Sequence, residues 1–282
     1  MWLILALGSA VFAGFVSVLG KRGMADVPSN LATAIRSAVA LSLAWVIVGF
    51  KGIEVSISAE TFWALILSGL ATGGSWLMYF KALQLGRVTQ VVAIDRTSLI
   101  FTGVAAIALF GETDKLVFKI AGLCLVFLGT LVLIWQRGGF TSGSFAWLPW
   151  ALGSMAFAVA TTLLAKAALG SVDSTLATAV RTGVVVLVAA GIALGRGEFS
   201  GVRALAGRSI GFLALSGLAT GASWLCYFGA LKLGQVSLVA PIDKLSIVFA
   251  TILAYLFLGE KASRRTLAGL AVMVAGTLVL VL

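Results

Sequence analysis

The sequence predicts an all-α integral membrane protein with ten transmembrane helices arranged as two inverted five-helix repeats. Three observations predict it. Of 282 residues, 61% are hydrophobic and only 11% charged, with a mean hydropathy of +1.13, whereas a soluble domain carries about a quarter charged residues. The apolar residues come in runs of roughly 20, the length that crosses a bilayer as a helix. Finally, residues 69–86, GLATGGSWLMYFKALQLG, return at 217–234 as GLATGASWLCYFGALKLG, identical at 14 of 18 positions, which marks an internal duplication.

The spans of the first repeat are expected at 2–20, 30–50, 62–81, 88–110 and 116–135. The first of them, MWLILALGSAVFAGFV, has the look of a cleaved leader. Its positive charges, Lys21 and Arg22, follow the apolar run instead of preceding it, and it has a counterpart beginning at Trp147, so it reads as a helix of the fold. The second span carries LATAIR (31–36), repeated as LATAVR (176–181). The third carries the long repeated stretch, in which Gly69/Gly73 and Gly217/Gly221 are GxxxG pairs that permit close helix packing. The fourth carries VVAIDRTSLIFT (91–102), repeated as VAPIDKLSIVFA (239–250). After the fifth comes QRGGFTSGS, a polar Gly/Ser linker. The second set follows at 147–168, 174–194, 210–229, 236–258 and 264–282. The domain reading is a first repeat at 1–137, a linker at 138–146 and an inverted second repeat at 147–282. The repeat offset is 145 early and 148 later, so three extra residues stand in the second repeat, around GRGEF.

Five is an odd number, so a fused second copy must enter the membrane upside down. The two copies are then related by a pseudo-two-fold axis in the membrane plane, an architecture of secondary transporters. On the side shared with the N-terminus the basic residues are Lys51, Lys115, Lys119, Lys166 and Lys232. The other side has eleven: Lys21, Arg22, Lys81, Arg87, Arg137, Arg196, Arg203, Arg208, Lys261, Arg264 and Arg265. The positive-inside rule places that second side in the cytoplasm and both termini outside.

Six charges fall within the spans: Arg36, Asp95, Arg96, Arg181, Asp243 and Lys244. Each is costly facing lipid, by at least about 2.5–3.5 kcal/mol, so each is expected to face the bundle interior or a wet cavity. Arg36 and Asp95 both lie about two turns inside helices that start on one side of the membrane, roughly 10 Å deep, and are expected to pair. The repeat gives Arg181 and Asp243 the same pairing from the opposite face. Ser98 and Ser246 share a helix face with the Asp three residues earlier. Pro241 frees a backbone carbonyl one turn back and is expected to kink its helix as a hinge. The first repeat has Ala93 there. Trp76, Tyr79, Trp224 and Tyr227, beside Ser75, Phe80, Ser223 and Phe228, are expected to line a cavity. Lys21 and Lys166, at helix ends, read as snorkelling residues.

Several functions are excluded. The chain has no His, which removes His-based metal sites and proton relays. Cys124 and Cys226 lie in apolar helical stretches and read as packing residues. The sequence GKR at 20–22 fails as a P-loop, because Phe15 stands where a Gly is required and Arg22 where Ser or Thr is. No nucleophile–base set or metal cluster is visible, so neither an enzyme nor a cofactor is expected. The net charge of +10 is assigned to loops facing the cytoplasm and anionic lipid, not to nucleic acid.

The duplicated five-helix unit, the GLATG-SW-YF-AL-LG run, the PIDK-S stretch and the endings FGE (110–112) and LGE (258–260) resemble the EamA family of the drug/metabolite transporter superfamily. Each half is similar to the short, unfused five-helix members. The resemblance implies ten helices around a central cavity lined by helices 1–4 and 6–9, with the fifth and tenth peripheral or structural. Helices 1 and 6 contain no acid, unlike the related four-helix multidrug exporters. The expected activity is alternating-access transport of a small polar metabolite across the cytoplasmic (inner) membrane. Four intramembrane cations against two anions favour a substrate with a carboxylate, such as an amino acid or organic acid. The alternatives are an exporter of organic cations or drugs that uses Asp95 and Asp243 as counter-ions, and a non-transporting scaffold or channel. The expected partners are this small-molecule substrate and the lipid bilayer, with the chain acting as a monomer or a dimer.

Overall fold

The computed structural model describes residues 1–23, 27–85, 88–134, 145–199, 207–259 and 263–282. Among them the regular structure is helical: α1 Trp2–Gly23, α2 Ser29–Phe50, α3 Ala59–Leu85, α4 Val88–Phe110, α5 Leu116–Ile134, α6 Leu148–Ala168, α7 Ser174–Gly195, α8 Gly207–Leu233, α9 Val236–Asp243, α10 Ser246–Leu258 and α11 Arg264–Val281. A 3₁₀ turn, Phe145–Trp147, leads into α6. The rest of the linker expected at 138–146 lies outside the described residues. Among the described residues, eight helical segments are long and apolar enough to cross a membrane, with α9 and α10 counting together as Val236–Phe257. Thr97–Phe110 and Leu116–Val132 are shorter apolar segments. Large apolar side chains such as Val117 (78%) and Leu187 (74%) lie open on helix surfaces, where a bilayer and not water is the compatible solvent.

Helices lie at every span the sequence predicts, with one difference: the ninth span is two helices. Pro241 sits inside α9, where it has no N–H to donate and its ring crowds the preceding turn. The next N–H groups reach only three residues back, Lys244 to the carbonyl of Pro241 (3.1 Å) and Leu245 to that of Ile242 (3.0 Å). The helix tightens, ends at Asp243 and restarts at Ser246. With Ala93 at the equivalent place, α4 runs unbroken from Val88 to Phe110.

The FGE and LGE endings stop helices. Gly111 has φ +66° and Gly259 φ +69°, the left-handed conformation that closes α4 and α10 and that glycine adopts without steric cost. At the start of α7, the Asp173 carboxylate accepts from the Thr175 N–H at 2.7 Å. Burial pushes this carboxyl up, but the hydrogen bonds from Thr175 and Leu176 outweigh it and hold its pKa below the ordinary 3.8. Asp173→Ala is expected to cost about 1 kcal/mol. Because the folded pKa is the lowered one, that difference is fully present above pH 3.8 and disappears as the pH falls through the folded value. Melting temperatures of both forms across acid pH check it.

The chain divides into two compact units, and each draws on both repeats. The first comprises Met1–Leu70, Leu164–Gly234 and Ser246–Glu260; the second comprises Ala71–Leu163, Gln235–Leu245 and Lys261–Leu282. In the first unit α1 packs on α8 and α10, α2 packs on α7 and α8, and α7 packs on α8. The end of α2 at Asn30 and Leu31 meets Glu198, just beyond the end of α7. These repeat-equivalent helices therefore run in opposite directions. In the second unit α4 packs on α5 and α9, and α5 packs on α11. A Cβ on Gly129 of α5 would stand 2.7 Å from the Gly269 carbonyl, and one on Gly276 of α11 would stand 3.0 Å from that of Gly122. At these glycines the α5 and α11 backbones approach closely, as small residues allow.

Candidate functional site

Thr220, Trp224 and Phe228 follow one another at four-residue spacing on α8 and so share one face of it. Both intramembrane arginines that the structure describes reach this stripe. Arg36, from α2, donates through Nη2 to Thr220 Oγ1 at 3.3 Å. The Thr220 hydroxyl gives its own proton to the Ser216 carbonyl (2.7 Å), which leaves its lone pairs to accept. The Nε of Arg36 is buried with no hydrogen-bond partner among the described residues. Arg181, from α7, is 2% exposed. Its guanidinium lies 4.3 Å from the ring centre of Phe228 and 5.6 Å from that of Trp224, a cation–π arrangement. Tyr227 meets Phe228 edge-on at 5.2 Å.

Glycine sets how closely these helices approach. A Cβ on Gly217 of α8 would stand 2.7 Å from Val39 Cβ and 2.8 Å from the Arg36 carbonyl. A Cβ on Gly69 of α3 would stand 2.7 Å from Val184 Cβ and 3.0 Å from the Arg181 carbonyl. The two sets are repeat equivalents. Each glycine, one at the start of either GxxxG pair, seats its helix on the turn of the other repeat that carries an arginine.

In the second unit, half-buried Asp95 of α4 accepts from Ser154 Oγ at 3.4 Å. Ser75 of α3 donates to the Ser154 carbonyl (3.1 Å), with its hydroxyl 3.2 Å from that of Ser154. The first unit repeats this pair with equivalent residues: Ser223 donates to the Ser9 carbonyl (3.1 Å), and the two hydroxyls are 3.2 Å apart. Tyr79 packs against an apolar cluster of Ala82, Val91, Trp147 and Ala151. Trp76 and Ser98 are half-buried. Asp243 ends α9, Lys244 caps it and Ser246 opens α10, all three half-buried. The side chains of Arg96, Phe80 and Lys21 lie outside the described residues. Arg36 and Arg181 belong to the first unit, and Asp95 and Asp243 to the second.

Four partners carry no signal of these contacts in the local sequence. Thr220 is an ordinary residue of an apolar helix, and Phe228 is marked only as a neighbour of Tyr227. Glu198 stands in the GRGEF stretch where the second repeat carries its three extra residues. It accepts from Asn30 Nδ2 (2.6 Å) and the Leu31 N–H (3.0 Å), and so caps α2, whose own N-cap residue is Pro28 with no side-chain bond. Glu112, 5% exposed, does the same for α9, accepting from the N–H groups of Val236 (2.8 Å) and Ser237 (2.9 Å). Lys166 corrects an expectation. Instead of snorkelling, its ammonium turns to the carbonyls of Leu231 (2.5 Å) and Gly234 (2.7 Å), where the negative end of α8 attracts a cation.

Comparison with known proteins matches residues 1–135 and 145–282, each by itself, to the EamA-like transporter family. A Sinorhizobium protein described as an uncharacterized transporter in the cobO 3′ region is 49% identical over 135 residues, covering 48% of this chain and 96% of its own length. That relative is a single-repeat protein by size. A crystal structure described only as that of a protein superposes on the whole chain and on 98% of its own, with a TM-score of 0.79 at 18% identity. That likeness shows the fold.

Proposed function

The chain belongs to the EamA-like transporter family of the drug/metabolite transporter superfamily, and from that premise we propose that this multi-pass membrane transporter carries a small polar metabolite with an anionic group. Amino acids and organic acids are the substrate class. One observation carries the choice: the Nε–H of half-buried Arg36 is itself buried and has no acceptor among the described residues. A buried cationic donor without an acceptor is costly, and a carboxylate is the planar acceptor that fits a guanidinium fork. Arg181, repeat-equivalent to Arg36 and facing the same α8 stripe, adds a second guanidinium there.

In this proposal Arg36 and Arg181 take the substrate carboxylate. Asp95 and Asp243 act as gating charges, and Trp76, Tyr79, Trp224 and Tyr227 supply aromatic contacts to the substrate. Arg96, Lys244, Ser98 and Ser246 add polar contacts, and Pro241 is the hinge. The two inverted repeats exchange conformations to give alternating access in the cytoplasmic membrane, with both termini outside. Of the basic residues that set this orientation, Arg87, Arg137, Arg203 and Lys261 lie outside the described residues.

A thermal-shift screen of the purified protein at pH 6 and pH 8 tests the substrate class. The panel holds amino acids, organic acids, sugar phosphates and quaternary amines. A ligand that binds only the folded state stabilises it by about 2.7 kcal/mol at a hundred times its Kd. Stabilisation by carboxylates is expected. Stabilisation by amines alone, stronger at pH 8, reverses the polarity and makes Asp95 and Asp243 the recognition groups of an organic-cation exporter. Wild-type counterflow that does not saturate points to a channel or scaffold.

A further inference from the structure

The FGE ending does more than stop α4. Past Gly111 the chain turns, and Glu112 reaches from the first repeat to the first turn of α9 in the second. Its two carboxylate oxygens each take one backbone N–H, Val236 at 2.8 Å and Ser237 at 2.9 Å. These are donors that the start of a helix leaves without intrahelical partners, and the carboxylate also meets the positive end of the helix. The clamp is itself held. Lys119, 2% exposed, donates to the Glu112 carbonyl (2.8 Å) and to Asp114 Oδ1 (3.1 Å). Gln235, the residue before α9, donates to the same Asp114 oxygen at 2.8 Å. Gln235 and Lys119 together hold the Asp114 carboxyl below the usual range. Loop, clamp and α9 all lie within the second unit.

α9 is only eight residues long and ends at Asp243, with the break behind Pro241 separating it from α10. A helix of two turns has little stability of its own, so what holds its first turn decides where its last turn sits. We propose that Glu112 is a positioning residue for transport. It fixes α9 to the α4–α5 hairpin, so that Asp243 moves with that hairpin and the chain bends at Lys244–Leu245. The clamp itself is independent of the substrate. Its role in transport rests on the reading of Asp243 given above.

Two variants attack the clamp from opposite ends. Glu112→Gln keeps shape but removes one acceptor and the charge. Val236→Pro removes one donor while leaving the helix intact, because a first helical position accommodates proline. Gln235 before it, at φ −82° and ψ 140°, already has the backbone a following proline requires. The first measurement is amide hydrogen exchange of residues 234–245 in the full-length protein in lipid nanodiscs. The second is counterflow of L-glutamate, the probe, in proteoliposomes. Both variants are expected to exchange at least tenfold faster there, with α7 unchanged, and to lower the maximal rate about tenfold while leaving KM within twofold. The double variant adds little to either single one. Unchanged exchange in both variants overturns the clamp. Faster exchange with an unchanged maximal rate overturns the positioning role and leaves a plain helix cap. A wild type that carries no glutamate counts against the substrate class alone; counterflow of the ligand that most stabilises the wild type in the thermal-shift panel then takes its place, with the same outcomes for the positioning role.

Discussion

Arg36→Gln is expected to leave the protein folded and to weaken carboxylate uptake roughly ten- to a hundredfold. The substituent keeps a polar end near Thr220, its partner at 3.3 Å, but loses the charge and the fork. A hydrogen bond to a charged group is worth about 1.5–3 kcal/mol, and each 1.4 kcal/mol is a factor of ten. The fold loses little, because the native Nε is already buried without an acceptor among the described residues. Removing it relieves a cost while ending recognition. Arg181→Gln is expected to be as damaging to uptake and more damaging to stability, since Arg181 also holds the faces of Phe228 and Trp224. Arg36→Lys retains a point charge without the planar donor geometry and should fall between wild type and Gln. Counterflow and melting temperature measured on the same preparations separate the two effects. Full uptake in Arg36→Gln would remove Arg36 from the recognition site. Unchanged transport in the double variant Asp95→Asn, Asp243→Asn would remove the carboxylates from the mechanism.

Gly217→Ala and Gly69→Ala are expected to destabilise the protein by similar amounts, about 1–3 kcal/mol each, the range for overpacking a well-fitted contact. Neither position has room for a methyl group. At Gly217 the new Cβ stands 2.7 Å from Val39 Cβ and 2.8 Å from the Arg36 carbonyl, and at Gly69 it stands 2.7 Å from Val184 Cβ and 3.0 Å from the Arg181 carbonyl. Backbone cannot rotate away, so the helices must separate. The near equality of the two losses is itself the test of the duplication, because the positions are equivalent and their neighbours are equivalent. Gly217→Ala should also disturb uptake, because it pushes on the turn that carries Arg36. Denaturation in lipid or mild detergent reads the first effect, and counterflow the second. A tolerated alanine at both sites would mean that the helices approach less closely than these distances state. The neighbouring Gly211, with nothing within 4 Å of an added Cβ, is the control expected to tolerate alanine.

Much of the fold was legible from local rules. Apolar runs of bilayer length placed helices at the predicted spans, because in lipid the backbone must satisfy itself and a helix is the simplest way to do so. The repeated GLATG stretch gave the duplication, and Pro241 marked the ninth span as the one to be interrupted, although α9 ends two residues beyond it. The depth of Arg36 and Arg181 could be counted from the helix starts. What each arginine touches could not. Thr220 lies 184 residues from Arg36, and nothing in its surroundings distinguishes it from Thr72, its equivalent in the first repeat. Glu112 looked like a family ending, and its two N–H partners lie 124 and 125 residues away. Lys166 looked like a snorkelling lysine because a lysine at a helix end near the interface usually reaches for water. Only the position of the α8 terminus beside it supplied a nearer partner.

The sequence by itself determined that the chain is a multi-pass membrane protein, that it holds two copies of one unit, and roughly where its helices lie. Each of these depends on residue type and spacing along the chain, so hydrophobicity and backbone geometry read them directly. The tertiary structure decided the partners. It joined α1 to α8 and α2 to α7 across the repeats, gave both α2 and α9 a glutamate cap from the opposite repeat, and turned Arg36 and Arg181 toward one stripe of α8. Copied units carry nearly the same side chains, so their local sequence cannot say which copy packs on which. The close approach permitted at a few glycines, and the need of each buried polar group for a partner, make that choice only once the chain has folded.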